Sequence, residues 1–348
     1  MKFINFDNGR NCITDGENIC SYLEIQNIFK NIQRVFSDRN IATNNYLALE
    51  CDGLLPSALL ILYLLQKGYS FLLFPRKVNK VKESYRNSLV PKFCQYVLRI
   101  KYSLNNKNIV DLRYPEEFLQ ITENKRWVKQ QFNPNNSERK LYLQTSGSTG
   151  SPKIVVHSHE KLRKNVLNCV KRLELQGDDR IAIPVPLFHM YGLGAAFLPS
   201  VAVGASIDIQ KSSNLLRYLQ REKKFNPNIS FLTPTFCETL LKTRKSSKKY
   251  KLTVVAGDLI KADTFALYES LNGCLVKLYG STEMGAIAAS SPQESKRIRS
   301  KSVGKPMSGV QIRLKEKAIE AAKSEVGVGE LWCRHEYGFE GYIDENGN

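Results

Sequence analysis

The stretch Thr145-Ser146-Gly147-Ser148-Thr149-Gly150-Ser151-Pro152-Lys153 is the part of the sequence best equipped for chemistry. Its two glycines let the backbone approach a ligand closely, its hydroxyls and free amide N–H groups can donate into one concavity, and Lys153 adds a full positive charge. That is the make-up of an anion cradle. A plain solvated Gly/Ser turn is the alternative, but such a turn needs neither a Pro-Lys end nor an apolar strand on each side. Two familiar phosphate loops are excluded, because Pro152 breaks a G-x-x-x-x-G-K-[ST] pattern and no G-x-G-x-x-G opens a helix. Further on, Tyr279-Gly280-Ser281-Thr282-Glu283 sets a carboxylate behind a hydroxyl-bearing turn, a donor suited to a hard cation that bridges phosphates. Taken alone, this pentapeptide is also an ordinary turn at the start of a helix. His189, between Phe188 and Met190, reads in isolation as a half-buried histidine.

These residues need elements to hold them. Residues 141–144 read as a strand running into the cradle and residues 154–157 as a strand leaving it. Ser158 then caps a helix to about residue 173. A buried strand over residues 252–255 delivers Ala256-Gly257-Asp258, and another over residues 276–278 delivers Tyr279. Upstream, the apolar spacing predicts a helix over residues 19–36 and a strand over residues 41–49. A buried helix follows, with Asp52 as its cap, Pro56 in its first turn and Gly68 as its stop, and then a strand over residues 70–74. The polar residues 123–140 read as an exposed connection. Alternating helices and strands define an α/β fold, with a first subdomain over residues 1–140 and a second, carrying the chemistry, over residues 141–348.

The motifs together resemble those of the adenylate-forming superfamily, which contains acyl-CoA and aryl-CoA ligases, luciferases and the adenylation domains of peptide synthetases. Thr145 to Lys153 matches the T-S-G-S-T-G-x-P-K phosphate loop, and Tyr279 to Glu283 the Y-G-x-T-E motif. Pro186-Leu187-Phe188-His189-Met190-Tyr191-Gly192-Leu193 is similar to the P-L-F-H-x-x-G-L segment, and Ser302 to Pro306 and Gly341-Tyr342 follow looser patterns that close the family's large domain. The resemblance implies packed mixed sheets with flanking helices, the N-terminal large domain of the family. It implies ATP with Mg²⁺, and CoA or phosphopantetheine as the thiol acceptor. Thr145, Ser146, Gly147, Ser148, Thr149, Gly150 and Lys153 would hold phosphates, Tyr279 and Gly257 would frame adenine, Gly280 would also contact ATP, and Thr282 would touch the α-phosphate. Lys153, Thr282 and Glu283 would be catalytic, Glu283 and Thr149 would hold the metal, and His189, Tyr191, Gly280 and Met284 would line the acid pocket. His189 is not implied as a base, since a carboxylic acid is already ionised at neutral pH. Asp258 departs from the small residue usual at its position. The family's T-G-D motif, hinge and small mobile C-terminal domain do not appear, and the ending Asp344-Glu345-Asn346-Gly347-Asn348 reads as a loop cut midway.

Bulk composition narrows the choices. A length of 348 residues, 42% hydrophobic and 24% charged, describes a globular chain with ample core. Residues 54–65, the longest apolar run, are too few to span a bilayer, and no secretory leader opens the chain, so a cytoplasmic enzyme is expected. The eight cysteines show no metal-binding spacing and read as free thiols. A formal charge of +18 raises the question of a polyanion, yet no basic and aromatic interleaving marks a nucleic-acid module, so no nucleic-acid partner is expected. The densest basic run, Lys242, Arg244, Lys245, Lys248, Lys249 and Lys251, reads as a solvated loop, with docking of an acidic carrier protein or the phosphates of CoA as the alternative.

The reading reached is an AMP-forming acid–thiol ligase, of the acyl-CoA synthetase or acyl-carrier-protein ligase type. It would convert a small carboxylic acid to acyl-AMP and then to a thioester. In the family this chain resembles, adenylation domains that take α-amino acids carry an Asp in this segment to pair the substrate ammonium; Leu187-Phe188-His189 has none, so the resemblance implies an aryl or aliphatic acid over an α-amino acid. An adenylation domain for an unusual amino acid and a non-catalytic polyanion-binding or docking protein are the alternatives.

Overall fold

The computed structural model describes residues 2–76, 88–102, 109–129, 138–145, 153–211, 214–244, 248–316 and 329–348. Two large sheets dominate, with strands numbered in chain order. In the seven-stranded sheet β18 (Gly341–Ile343), β8 (Ile154–Ser158), β7 (Lys140–Gln144), β4 (Ser70–Pro75), β3 (Tyr46–Cys51), β5 (Tyr96–Ile100) and β6 (Leu119–Glu123) lie side by side. The nine-stranded sheet runs β15 (Lys305–Pro306), β14 (Gly285–Ala289), β13 (Gly273–Ser281), β12 (Tyr250–Val255), β11 (Ile229–Leu232), β9 (Arg180–Ile183), β10 (Ser206–Ile209), β1 (Cys12–Thr14) and β2 (Ile19–Ser21). A separate ribbon pairs β16 (Val310–Glu316) with β17 (Gly329–His335).

The α/β expectation holds, and strands cross the expected division at residue 140 in both directions. Residues 12–21 join the sheet of the later half, and β7, β8 and β18 join the sheet of the earlier half. The predicted helix over residues 19–36 needs correction. Ile19–Ser21 is a strand paired with β1, and α1 (Tyr22–Asp38) starts after it. Ser21 and Glu24 form a reciprocal capping box there, which fixes the start. The strand expected at residues 41–49 begins at Tyr46, and the one expected at residues 276–278 extends over all of β13.

Helix α2 (Leu55–Lys67) is apolar on every side and buried from Leu55 to Leu65, as a helix enclosed by core must be. Gly68 ends it at φ +71°. Leu54, rather than Asp52, is its cap residue, but Asp52 Oδ1 accepts from the Leu54 N–H and the Ser57 hydroxyl, while Asp15 Oδ2 accepts from the Leu55 N–H. Helix α3 (His159–Leu173) begins as expected, with Ser158 accepting from the Lys161 N–H. It packs against both β8 and β14 and so ties the two sheets together. One apolar core, including Phe36, Leu49, Leu59, Val166, Phe197 and Val254, spans the space between them.

The basic run is solvated only in part: Lys242 and Lys249 are exposed, while other members are engaged by the fold. Arg244 is buried against Glu222 and Asn272, Lys251 pairs with Asp179 at 2.7 Å, and Lys248 reaches Asn226. Lys245 lies outside the described residues. All eight cysteines are free, and burial raises their pKa values, that of Cys169 to about 12. Among the described residues no helix is long and apolar enough to cross a membrane.

Candidate nucleotide and acid site

The site forms where β13 ends and the chain turns back as β14, its neighbour in the nine-stranded sheet. The turn is tight. A Cβ on Gly280 would lie 2.3 Å from the Gly285 carbonyl oxygen, so only glycine lets the two strands approach this closely. Buried polar side chains pin the turn. His157 Nε2 donates to the Thr282 carbonyl at 2.8 Å, Asn165 Nδ2 donates to the Met284 carbonyl at 3.0 Å, and Asn165 Oδ1 accepts from the Ala286 N–H. Because a carbonyl only accepts, Nε2 carries the His157 proton. Burial pushes the pKa of that ring down to about 4, so the imidazole is neutral. The Phe339 N–H holds the Glu283 carbonyl at 2.8 Å.

Beside the turn lies a cavity of about 330 Å³. It brings together five predicted residues from three segments: His189, Tyr191, Gly257, Gly280 and Thr282. Met190, Ala195, Ala256, Leu278 and Ala286 make most of the remaining wall apolar. His189 lies against Phe188, with ring centroids 4.5 Å apart and the rings tilted by 54°, and burial lowers its pKa. Tyr191 opens a π-helical segment, Tyr191–Phe197, whose wide turns recur at functional sites. Its hydroxyl is shared between the Leu232 and Val254 carbonyls at 2.9 Å each, leaving the ring as its contribution to the wall. Gly257 stands at φ +96° with open space on the side a Cβ would take.

Other predicted residues fall outside that cavity. Met284 does not line it; its sulfur lies against Gly338. Tyr279 projects to the other side of the strand, 42% exposed. Ser146, Gly147, Ser148, Thr149 and Gly150 lie outside the described residues. The two ends of their loop are tied, however, since the Thr145 N–H donates to the Lys153 carbonyl at 3.0 Å. The Lys153 ammonium sits over the ring of Tyr342, 5.1 Å from its centroid, and the Tyr342 hydroxyl reaches Glu283.

Sequence reasoning missed His157, Asn165 and the part played by Tyr342. Asn165 carried a signal: it falls on the buried face of α3 with Leu162, Val166, Cys169 and Leu173, where a polar residue requires partners.

The profile of the AMP-binding enzyme family matches residues 93–343. The chain belongs to that family, and its fold is that of the large N-terminal domain of adenylate-forming enzymes. A probable CoA ligase of Humulus lupulus is 26% identical over 223 residues, 58% of this chain and 36% of that protein. A malonate–CoA ligase of Arabidopsis thaliana is 28% identical over 218 residues, 55% of this chain and 34% of that protein. The matches thus span little more than a third of these relatives' length. ATP-bound MatB from Rhodopseudomonas palustris superposes with a TM-score of 0.73 at 17% identity, over 97% of this chain and 70% of that one.

Proposed function

We propose that this chain binds ATP and a carboxylic acid and activates the acid as its acyl-adenylate, for transfer to the thiol of CoA. The carboxylate oxygen attacks the α-phosphorus, the bond to the pyrophosphate oxygen breaks, and acyl-AMP and pyrophosphate result. A thiol then displaces AMP to give the thioester. Acids are already ionised at neutral pH, so the protein's part is to position the reactants and offset charge. Thr145 and Lys153, with Ser146, Gly147, Ser148, Thr149 and Gly150 between them, hold the phosphates. Thr282 meets the α-phosphate, Tyr279 and Gly257 frame adenine, and His189 and Tyr191 border the acid.

The chemistry of the donor set fits Mg²⁺ carried by the nucleotide. Among the described residues no group of three or more His, Cys, Asp or Glu side chains could hold a metal. A hard cation wants six or more oxygens, so Glu283 with Thr149 would supply a minority of them and phosphate and water the rest. Bound there, the ion neutralises charge building on the phosphates.

The observation that carries the reading is the cavity beside Thr282, whose described wall holds no acid and no lysine or arginine. An α-ammonium would find no carboxylate in it, and a second carboxylate would find no cation. Aryl or aliphatic monocarboxylic acids therefore suit it better than amino acids or a diacid such as malonate. Phosphopantetheine on an acidic carrier protein is the second acceptor, but much of the basic run that would dock it is engaged in internal contacts.

A thermal-shift panel tests the reading. ATP with Mg²⁺ is added first, then non-hydrolysable acyl-adenylate analogues bearing aryl, short-chain, long-chain, dicarboxylic and aminoacyl groups. A ligand at 100 times its dissociation constant stabilises a fold by about 2.7 kcal/mol. Stabilisation by an aryl or alkyl analogue above the aminoacyl and dicarboxylic ones is expected. Equal or better response to an aminoacyl analogue overturns the substrate class, and no response to any ligand overturns the adenylate site.

A further inference from the structure

Lys153 and Glu283 carry opposite charges and meet the same side chain, Tyr342, from different sheets. The Tyr342 hydroxyl donates to Glu283 Oε1 at 2.9 Å, and the face of the same ring carries the Lys153 ammonium. We propose that Tyr342 is a positioning residue that keeps Lys153 and Glu283 apart and aimed at the nucleotide, an inference that rests on the reading of these two residues as part of the Mg²⁺–ATP site.

The chemistry suits a spacer. A direct Lys153–Glu283 ion pair would neutralise both groups and leave neither for phosphate or metal. A phenol donates to a carboxylate without removing its charge and orients it by one oxygen, leaving the other for a cation. The ring quadrupole attracts an ammonium without taking a proton from it. Aliphatic residues can do neither, and phenylalanine only the second.

The phenol is itself firmly placed. Tyr342 is the middle residue of β18 and pairs with Val155, two residues past Lys153. Phe339 packs edge-on against its ring at 5.1 Å, and the Phe339 N–H holds the Glu283 carbonyl. Glu340 pairs with Lys161 at 2.9 Å, and beyond the strand Glu345 pairs with Lys92 at 2.8 Å and Arg126 at 2.7 Å. The segment is clamped on both sides of the ring.

The test compares wild type, Tyr342→Phe and Tyr342→Leu by ATP-induced thermal shift, without metal and across a Mg²⁺ series. Tyr342→Phe keeps the ring and loses the hydroxyl: it is expected to raise the Mg²⁺ midpoint by about tenfold or more while leaving metal-free ATP affinity unchanged. Tyr342→Leu is expected to weaken metal-free ATP binding as well, by about two- to fivefold. A Mg²⁺ midpoint in Tyr342→Phe equal to wild type overturns the proposal, as does metal-free ATP affinity in Tyr342→Leu equal to wild type. If Tyr342→Leu does not fold, the Mg²⁺ midpoint of Tyr342→Phe decides. Failure of the wild type to respond to Mg²⁺ and ATP is a different result, which removes the functional reading and this inference with it.

Discussion

The Tyr342 hydroxyl donates to Glu283 Oε1 at 2.9 Å, joining the edge strand of the seven-stranded sheet to the turn between β13 and β14 of the nine-stranded one. That bond orients the carboxylate of the residue that follows Thr282 of the cavity wall, and it makes Glu283 the most direct residue to probe. Glu283→Gln keeps the shape and an acceptor for the phenol but removes the charge a cation needs. Acid-dependent exchange of pyrophosphate into ATP, measured on the intact enzyme, is expected to fall at least about a hundredfold. Near-normal exchange in this variant would sink the metal role.

The pH response follows from the histidines. The chain has four, His157, His159, His189 and His335, and burial lowers the pKa of each, to about 4 for His157 and about 3 for His159. Unfolding returns them to an ordinary value near 6.5, so below that pH the unfolded chain binds more protons than the folded one. Stability is therefore full above about pH 6.5 and lost progressively as pH falls toward 4. The two deeply buried rings, His157 and His159, each contribute a slope on the order of 1.4 kcal/mol per pH unit. Melting temperatures taken from pH 7.5 to 4.5 should fall steadily, and a flat profile down to pH 5 would contradict the neutral, buried state of these rings.

Gly280→Ala tests the closeness of β13 and β14. The added methyl would sit 2.3 Å from the Gly285 carbonyl oxygen, a backbone atom that cannot rotate away. The strands must part, at a cost of about 1–3 kcal/mol, and the Thr282–Glu283 turn must move with them. Chemical denaturation is expected to show that loss together with weaker ATP binding; a fully stable variant with wild-type affinity would mean the turn has slack.

What the sequence made legible was local. The two strands that flank the glycine-rich stretch, the cap at Ser158 and the stop at Gly68 all follow from nearest-neighbour chemistry, and they are where the fold has them. Pairings between distant strands were not readable: nothing in Gly341-Tyr342-Ile343 states that β8 is its partner, nor in Cys12–Thr14 that β10 is. The same gap hid the part of Tyr342, because a ring's neighbours across two sheets leave no periodicity. Met284 was assigned to the pocket by its place in a motif, whereas the turn at residues 281–285 directs its sulfur to Gly338. The basic run was read from charge alone, and its partners Glu222, Asn226 and Asp179 lie on other elements.

That last point is testable. Arg244 and Glu222 form an ion pair whose side chains are only 7% and 9% exposed. Arg244→Ala leaves a buried carboxylate uncompensated and should cost about 3–5 kcal/mol. Replacing both residues with apolar side chains should cost less than that single change. Lys249→Gln, on the exposed side of the same run, should stay within about 0.5 kcal/mol. Urea denaturation of the four proteins checks the order, and equal losses in Arg244→Ala and Lys249→Gln would restore the picture of a solvated loop.

The pairing of β18 with β8 also sets an order of assembly. Helix α3 and every strand of the nine-stranded sheet after β2 lie between Ser158 and Gly341 in the chain, so this contact closes a very long loop, and such closures come late in folding. Lys153 and Glu283 can thus reach their places while the phenol that separates them is still undocked. During synthesis, too, the strand emerges only after every other strand of the two large sheets. A chain caught with β18 loose would look folded by its helices and sheets, yet its two opposite charges would be free to close on each other, and it would be blind to nucleotide.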